Sequence, residues 1–407
     1  MSKSMVYWKL NLYFFFYFFA NAACNSFFAI WLGQKIHLDG AQTGLIFSIN
    51  AAFALIIQPL YGYISDRIGL KKHILTFISL LLIFVGPFFI YVYAPLLKIN
   101  FFVGASIGGL YLGIIFLGGC GAIESYIEKV GRKYQFEFGK ARMWGSLGSA
   151  SAAFMAGQFF NINPSINFWI ASATAIILVI IILLTKVEMS QEEVERADSV
   201  NLKSVINLFS MKDFWCFIIY VLGVACIYTV FDQQFPLYFA SLFPAVEQGN
   251  QIFSYLNSLQ VFLEAGMLFL APFIVKKIGI KKALMVAGCI MSFRIIGSGL
   301  VVGPIGISFM KLIHAIELPI MIVAIFKYLA SNFDTRLSSI LYLVGYQFIM
   351  QVGTIVISPI VGRLYDDIGF KHTYLLMGIF VLVFTIVSAL LLKNEKKVLK
   401  RNLKRIA

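Results

Sequence analysis

The sequence predicts an all-α membrane protein of twelve transmembrane helices, arranged as two pseudo-symmetric six-helix bundles. Three observations carry that expectation. Of 407 residues, 60% are apolar, 16% aromatic and only 13% charged, so a soluble chain would have far too little polar surface to cover itself. Apolar stretches long enough to cross a bilayer, roughly 20 residues each, recur with centres near residues 21, 55, 85, 113, 151, 176, 224, 260, 291, 316, 348 and 381. The longest polar interruption, 187–207, carries Glu188, Glu192, Glu193, Glu195 and Asp198 near the middle of the chain. It reads as a cytoplasmic linker between an N-terminal bundle, 1–186, and a C-terminal bundle, 208–393, with a basic tail at 394–407.

The first span begins in NLYFFFYFFANAACNSFFAIWL, residues 11–32. It is too long and too aromatic for a cleaved signal peptide, and no small-residue cleavage site follows a short apolar core. The later loops are told apart by charge. Most of the 33 Lys and Arg residues fall in alternate segments: the N-terminal arm, 67–72, 129–142, the linker region, 276–282 and the tail. This is the positive-inside bias, and it places both termini in the cytoplasm. The net charge of +14 is thereby read as topology and lipid-headgroup contact, not nucleic-acid binding. Cys24, Cys120, Cys216, Cys226 and Cys289 lie in spans without metal-ligand spacing and read as free, buried thiols.

Internal symmetry supports the division into halves. GYISDRIGLKK (62–72) and PFIVKKIGIKK (272–282) share I-G-x-K-K at an offset of 210, each in a short loop after an even-numbered span. Such an offset marks a tandem repeat. Gly69 permits the tight turn, and Asp66 is placed to meet helix ends and basic residues.

Function is sought among groups that lipid penalises. Glu124, Arg142, Asp232, Glu264, Arg294, Lys311, His314 and Glu317 fall deep in spans. Each formal charge left alone at mid-bilayer would cost roughly 2.5–3.5 kcal/mol, so these groups must pair or face water. Glu124 and Arg142 lie equally far from residue 133, within the hairpin GRKYQFEFGK, which is expected to bring them to similar depth on two consecutive spans. Asp232 has Lys311 as its most plausible partner, leaving Arg294, His314, Glu317 and Glu264 as a second cluster. Positions 311, 314 and 317 advance by about 300° per step on a helix. Lys311 is thus free to face the seventh span while Glu317 faces the ninth.

The segments SDRIGLKK, IEKVGRKYQFEFGKARMWG, FDQQF, IMSFRIIGS and KLIHAIELP resemble the oligosaccharide:proton symporters of the major facilitator superfamily, the group containing lactose and sucrose permeases, over nearly the whole chain. The pattern G-x-x-x-D-[RK]-x-G-x-[RK]-[RK] is met by Gly62, Asp66, Arg67, Gly69, Lys71 and Lys72. The resemblance implies that Glu124 and Arg142 bind sugar, that Arg294 and Glu317 handle the proton, that His314 joins the two sites, and that Asp232 with Lys311 forms a structural ion pair. Thr229 and Met350 stand where lactose permease has a further intramembrane Asp/Lys pair, both charges being lost together. Val261 replaces a galactose-recognising glutamate, and Glu264 supplies a carboxylate one helical turn later, as in sucrose permeases. Ser149 replaces a sugar-stacking aromatic, leaving Trp144, Tyr228 or Tyr346 to supply that face.

These features lead to an expected proton-coupled importer of a disaccharide or small oligosaccharide, sucrose favoured, closer to sucrose permease than to lactose permease. Hydroxyl partners are expected from Glu124, Arg142, Glu264, His314 and Tyr228, with Asn21, Asn25 and Gln233 adding neutral donors and acceptors. For the amides, interhelical hydrogen bonding is an equal alternative. Protons are the only coupling species expected, with no cofactor or metal, and one chain already holds both halves of a carrier, so a monomer suffices. The competing expectations are a galactoside or raffinose-type symporter, a proton-coupled efflux carrier and a non-transporting sugar receptor. An enzyme is disfavoured, since H-E-x-x-H and Walker patterns do not occur.

Overall fold

The computed structural model describes residues 3–68, 71–136, 138–185, 210–333 and 341–394. Gly69 of the loop pattern, the 187–207 linker and the tail from residue 395 lie outside them, as do the side chains of Asp66 and Arg67. Among the described residues the chain is helical throughout, without a β-strand. In a bilayer this follows from the backbone, since a helix satisfies its own N–H and C=O groups where no water is available.

In chain order the helices are α1 (Ser4–Ile36), α2 (Gly40–Ile68), α3 (His73–Leu82 and Val85–Ile99, bent by 49°), α4 (Phe101–Gly131), α5 (Phe138–Ile162), α6 (Ile166–Leu184), α7 (Lys212–Ser241), α8 (Val246–Ile278), α9 (Ile280–Leu300), α10 (Pro304–Asn332) and α11 (Gly345–Leu391). Nine helices are long and apolar enough to cross a membrane, or ten if the bent pair of α3 is one span, among the described residues. α5 falls outside that set, as expected of a helix rich in Gly and Ser that also carries Lys140 and Arg142. α11 has 47 residues, about 70 Å at 1.5 Å per residue, and is broken at Gly369, whose φ of 76° no helix contains. Gly279, with φ of 92°, likewise separates α8 from α9 inside the repeated I-G-x-K-K. A side chain at either position would meet the strain of the left-handed region.

The described residues fall into two compact units. Unit 1 comprises Met1–Ser199, Gln233–Phe262 and Ser358–Asp366. Here α1 packs on α5 and α6, and α2 packs on α4. Trp31 sits among Phe89, Tyr93 and Phe168, with ring centroids 5.3–5.7 Å away, an aromatic cluster that anchors the end of α1. Tyr17 donates its hydroxyl to the Ile115 carbonyl at 2.8 Å, and Lys72 donates to the carbonyls of Ile182 (2.6 Å) and Thr185 (2.9 Å), neutralising the C-terminal end of α6. Three amides join α1, α5 and α8: Gln34 and Asn250 exchange bonds of 3.3 and 3.1 Å, and Asn250 also donates to Asn161 at 3.1 Å.

Unit 2 comprises Val200–Asp232, Leu263–Ile357 and Asp367–Ala407. Its centre is the packing of α9 on α10, with Tyr220 donating to the Leu284 carbonyl at 3.0 Å and Ser292 to that of Gly378 at 2.8 Å. All five cysteines are free, but only Cys24, Cys216 and Cys226 are buried. The expectation of uniformly buried thiols is corrected at Cys289, which lies on the exposed face of α9, and at Cys120, which is half-buried.

Close helix contact in unit 2 rests on small residues. A Cβ added at Gly223 of α7 would strike the Phe384 ring, so Gly223→Val should destabilise the protein by about 1–3 kcal/mol through overpacking. The thermal unfolding midpoint in detergent would fall accordingly.

Candidate functional site

In unit 2, α7, α9 and α10 bring five ionisable side chains together. Asp232 lies at the hub. Its Oδ1 is 3.0 Å from Lys311 Nζ and 3.4 Å from Arg294 Nη1, and its Oδ2 is 3.5 Å from His314 Nε2. Arg294 Nε stands 2.8 Å from Glu317 Oε1, and that oxygen lies 3.1 Å from His314 Nδ1. The imidazole therefore bridges two carboxylates. A neutral ring donates from one nitrogen only and a protonated ring from both, so the His314 proton inventory decides which carboxylate is served.

The spacing along α10 creates this division. Lys311, His314 and Glu317 follow one another by slightly less than a turn, so the first meets Asp232, the last meets Arg294, and the middle one touches both. Arg294 and Glu317 are 0% exposed, where ion pairing is required. The two anions and two cations in direct contact balance with His314 neutral. Arg294 is also held over the Phe231 ring, 4.8 Å from its centroid. The Arg294–Glu317 contact is close but poorly aligned: Arg294 Nε and Nη2 and Glu317 Oε2 are buried without a hydrogen-bond partner among the described residues. Unspent hydrogen-bonding capacity in a dry site costs stability and marks a place where a proton or a rearrangement can act.

Tyr228 packs against His314 with ring centroids 5.4 Å apart. Glu264 is half-buried on α8, within electrostatic reach of Tyr228 and Lys311. The expected separation into an Asp232–Lys311 pair and a second cluster is thus replaced by one connected network. The contacts of Asp232 with Arg294 and His314 were not foreseen, because span-by-span reading pairs each acid with one base.

In unit 1, Arg142 Nε donates to Glu124 Oε1 at 2.8 Å, with the two side chains 37% and 30% exposed. The guanidinium lies 4.4 Å above the Phe18 ring and reaches Ser146 Oγ at 3.5 Å. Phe18 carries no pattern that would have singled it out among the aromatics of α1. Asn25 donates to Asn21 at 2.8 Å, within one helix, so this pair is neither the interhelical link expected of buried amides nor fully engaged, Asn25 being exposed. Gln233 accepts from Ser358 Oγ at 2.8 Å. Ser149 Oγ meets the Phe18 carbonyl at 3.4 Å, and Trp144 is packed edge-on against Trp8 at 5.8 Å. Among the described residues no group of three or more His, Cys, Asp or Glu is placed to hold a metal ion.

The nucleoside transporter NupG superposes with a TM-score of 0.80 at 13% identity, over 95% of this chain and 98% of that one. A D-xylose–proton symporter superposes with a TM-score of 0.70 at 12% identity, over 96% and 98%. Residues 1–403 match the model of the LacY proton/sugar symporter family, and the chain belongs to that family. It is accordingly a multi-pass inner-membrane carrier that couples sugar to protons, not an enzyme. Curated relatives include a melibiose permease of Enterobacter cloacae (44% identity over 96% of this chain and 94% of that one), the raffinose permease of Escherichia coli (42%, 97% and 94%) and the sucrose permease of Escherichia coli (39%, 93% and 94%). The expected nearness to sucrose permease is corrected by these values: melibiose and raffinose permeases are more similar.

Removing one partner of a buried pair leaves a charge stranded, at a cost of about 3–5 kcal/mol. Lys311→Ala should therefore unfold at markedly lower temperature or fail to accumulate in the membrane. Asp232→Asn combined with Lys311→Met should recover part of the loss, measured as a non-additive double-mutant cycle. Glu124→Gln breaks a pair that is a third exposed, and should cost at most about 1 kcal/mol.

Proposed function

We infer that the chain is an importer of a small oligosaccharide carrying a galactosyl unit on a sucrose core, of which raffinose is the simplest. Raffinose contains the whole of sucrose with one more hexose, so it reconciles two signals. Identity favours raffinose and melibiose permeases over sucrose permease, while the carboxylate at Glu264 in place of one at Val261 resembles the sucrose permeases. Ser149, where relatives in the family present an aromatic ring, frees volume for a third sugar. Sucrose itself, the narrower expectation, becomes the second reading, favoured by Glu264 alone.

The observation that carries the sugar-binding reading is the half-exposed Glu124–Arg142 pair. A carboxylate accepts two or more hydroxyl donors, and a guanidinium donates in a fixed fork. On this reading Glu264, His314 and Tyr228 complete the contacts from the other half, with Asn21, Asn25 and Gln233 at the margin. Asp232 and Lys311 hold the helices in register.

The topology proposed is twelve spans in two halves, 1–186 and 208–393. Counting α5 as a span and dividing α11 at Gly369 raises the ten to twelve. Both termini then face the cytoplasm, and one chain forms a complete carrier. In the cycle, Glu317 is the proton carrier. The Arg294 charge at 2.8 Å stabilises the carboxylate, so Glu317 accepts a proton when Arg294 withdraws and releases it when Arg294 returns. His314, touching both Glu317 and Asp232, relays the ion site to the sugar. Coupling requires that sugar and proton favour the same conformational change.

Counterflow in proteoliposomes against raffinose, melibiose, sucrose, lactose and maltose should show exchange strongest with raffinose. Equal or better exchange with sucrose alone would replace the trisaccharide reading. A pH electrode should register proton uptake with sugar in the intact protein. Glu317→Gln should retain exchange but lose uphill accumulation, and normal accumulation by that variant would remove Glu317 from the proton path.

A further inference from the structure

The loop pattern at 62–72 has a further copy that falls on the opposite side of the proposed topology. GYISDRIGLKK (62–72) and GRLYDDIGFKH (362–372) share G-x-x-x-D-x-I-G-x-K, with Gly62, Asp66, Ile68, Gly69 and Lys71 answered by Gly362, Asp366, Ile368, Gly369 and Lys371. In the second copy the acid has a defined task within unit 1. Asp366 Oδ1 accepts the N–H of Gly40 at 2.8 Å, and Oδ2 accepts that of Ala41 at 2.7 Å.

Those two donors are the ones α2 cannot satisfy locally. The first four N–H groups of a helix lack intrahelical partners. Asp39 and Gln42 form a reciprocal cap: Gln42 N–H donates to Asp39 Oδ1 at 2.7 Å, and Asp39 N–H donates to Gln42 Oε1 at 3.2 Å. Only Gly40 and Ala41 are left, and a carboxylate 325 and 326 residues away takes both. The bonds are charge-assisted and point along the helix axis, where the macrodipole adds to them. Gln234 Nε2 fixes the same turn from α7 by donating to the Gly40 carbonyl at 2.9 Å.

Sterics make the contact specific. A Cβ on Gly40 would lie 2.6 Å from the Gly362 carbonyl oxygen and 2.7 Å from Asp366 Oδ1, and one on Gly362 would strike Gly40 in return. A Cβ on Gly44 would strike the Ser358 carbonyl. The seam between α2 and α11 thus closes backbone on backbone, with a carboxylate at its end.

We propose that Asp366 is a positioning residue of the transport cycle, which shuts the external end of the carrier by clasping the α2 N-terminus and must release it each time the carrier opens outward. This rests on the topology proposed above, in which α2 and α11 belong to different halves and meet on the external side.

The test places Ser358→Cys, which is buried in the seam, in a background lacking the five native cysteines. A membrane-impermeant maleimide is added to right-side-out and inside-out vesicles. Asp366→Asn removes the charge and leaves one acceptor oxygen for two N–H donors, so labelling of right-side-out vesicles should accelerate at least about tenfold, the KM for external sugar should fall, and Asp366→Glu should restore the slow rate. An unchanged labelling rate, even with a lower unfolding temperature, overturns the proposal by showing that the contact only stabilises the fold. Acceleration confined to inside-out vesicles would refute the topology while leaving the clasp in place. Should Asp366→Asn not reach the membrane, Gln234→Ala must accelerate labelling in its stead, and no acceleration there is equally fatal.

Discussion

One carboxylate in contact with three cationic or potentially cationic groups governs the interior of unit 2. Asp232 meets Lys311, Arg294 and His314 within 3.5 Å, and none of these groups can be left unmatched where water is absent. The helices that carry them are therefore constrained in rotation as well as position. α10 must present one face to Asp232 and the next to Arg294, and the near-turn spacing of Lys311, His314 and Glu317 is the local means of doing so.

The two ion pairs differ in their access to water. Arg294 and Glu317 are sealed from solvent, so a change in their separation has a large electrostatic effect. Arg142 and Glu124 remain about one-third exposed, which leaves lone pairs and N–H groups available to hydroxyls from outside. A dry pair suits exchange of a proton, and a wet pair suits exchange of a ligand. His314 reaches from Asp232 to Glu317 beside the Tyr228 ring.

Much of this was legible in the residues. Many helix lengths follow from apolar run length, and Lys311 reaches Asp232 because its face of α10 is fixed by periodicity; Glu124 and Arg142 do meet, although the turn at Gln135 leaves them at unequal distances from it. Other features depend on packing that periodicity does not encode. The approach of Arg294 and His314 to Asp232 depends on interhelical distance, and the placement of Phe18 beneath Arg142 is one choice among many neighbouring aromatics. The 49° bend of α3 had a visible cause in Pro87, yet the run's continuous hydropathy concealed it. α5 shows the reverse, a regular helix whose Gly, Ser and Arg residues weaken the apolar signal. The motif copy at 362–372 was present all along, but Asp367 and His372 replace the basic residues that make the first copy conspicuous.

The amide cluster of Gln34, Asn161 and Asn250 has a consequence for how the carrier responds to its surroundings. Carboxamides neither gain nor lose protons under physiological conditions, so the bonds linking α1, α5 and α8 keep the same strength in acidic and alkaline media. A proton gradient therefore leaves this fastening unchanged, whichever carboxylates elsewhere take up protons. The scaffold at this point is insulated from acid, whereas contacts made by carboxylates, such as Asp366 on the α2 N-terminus, are not.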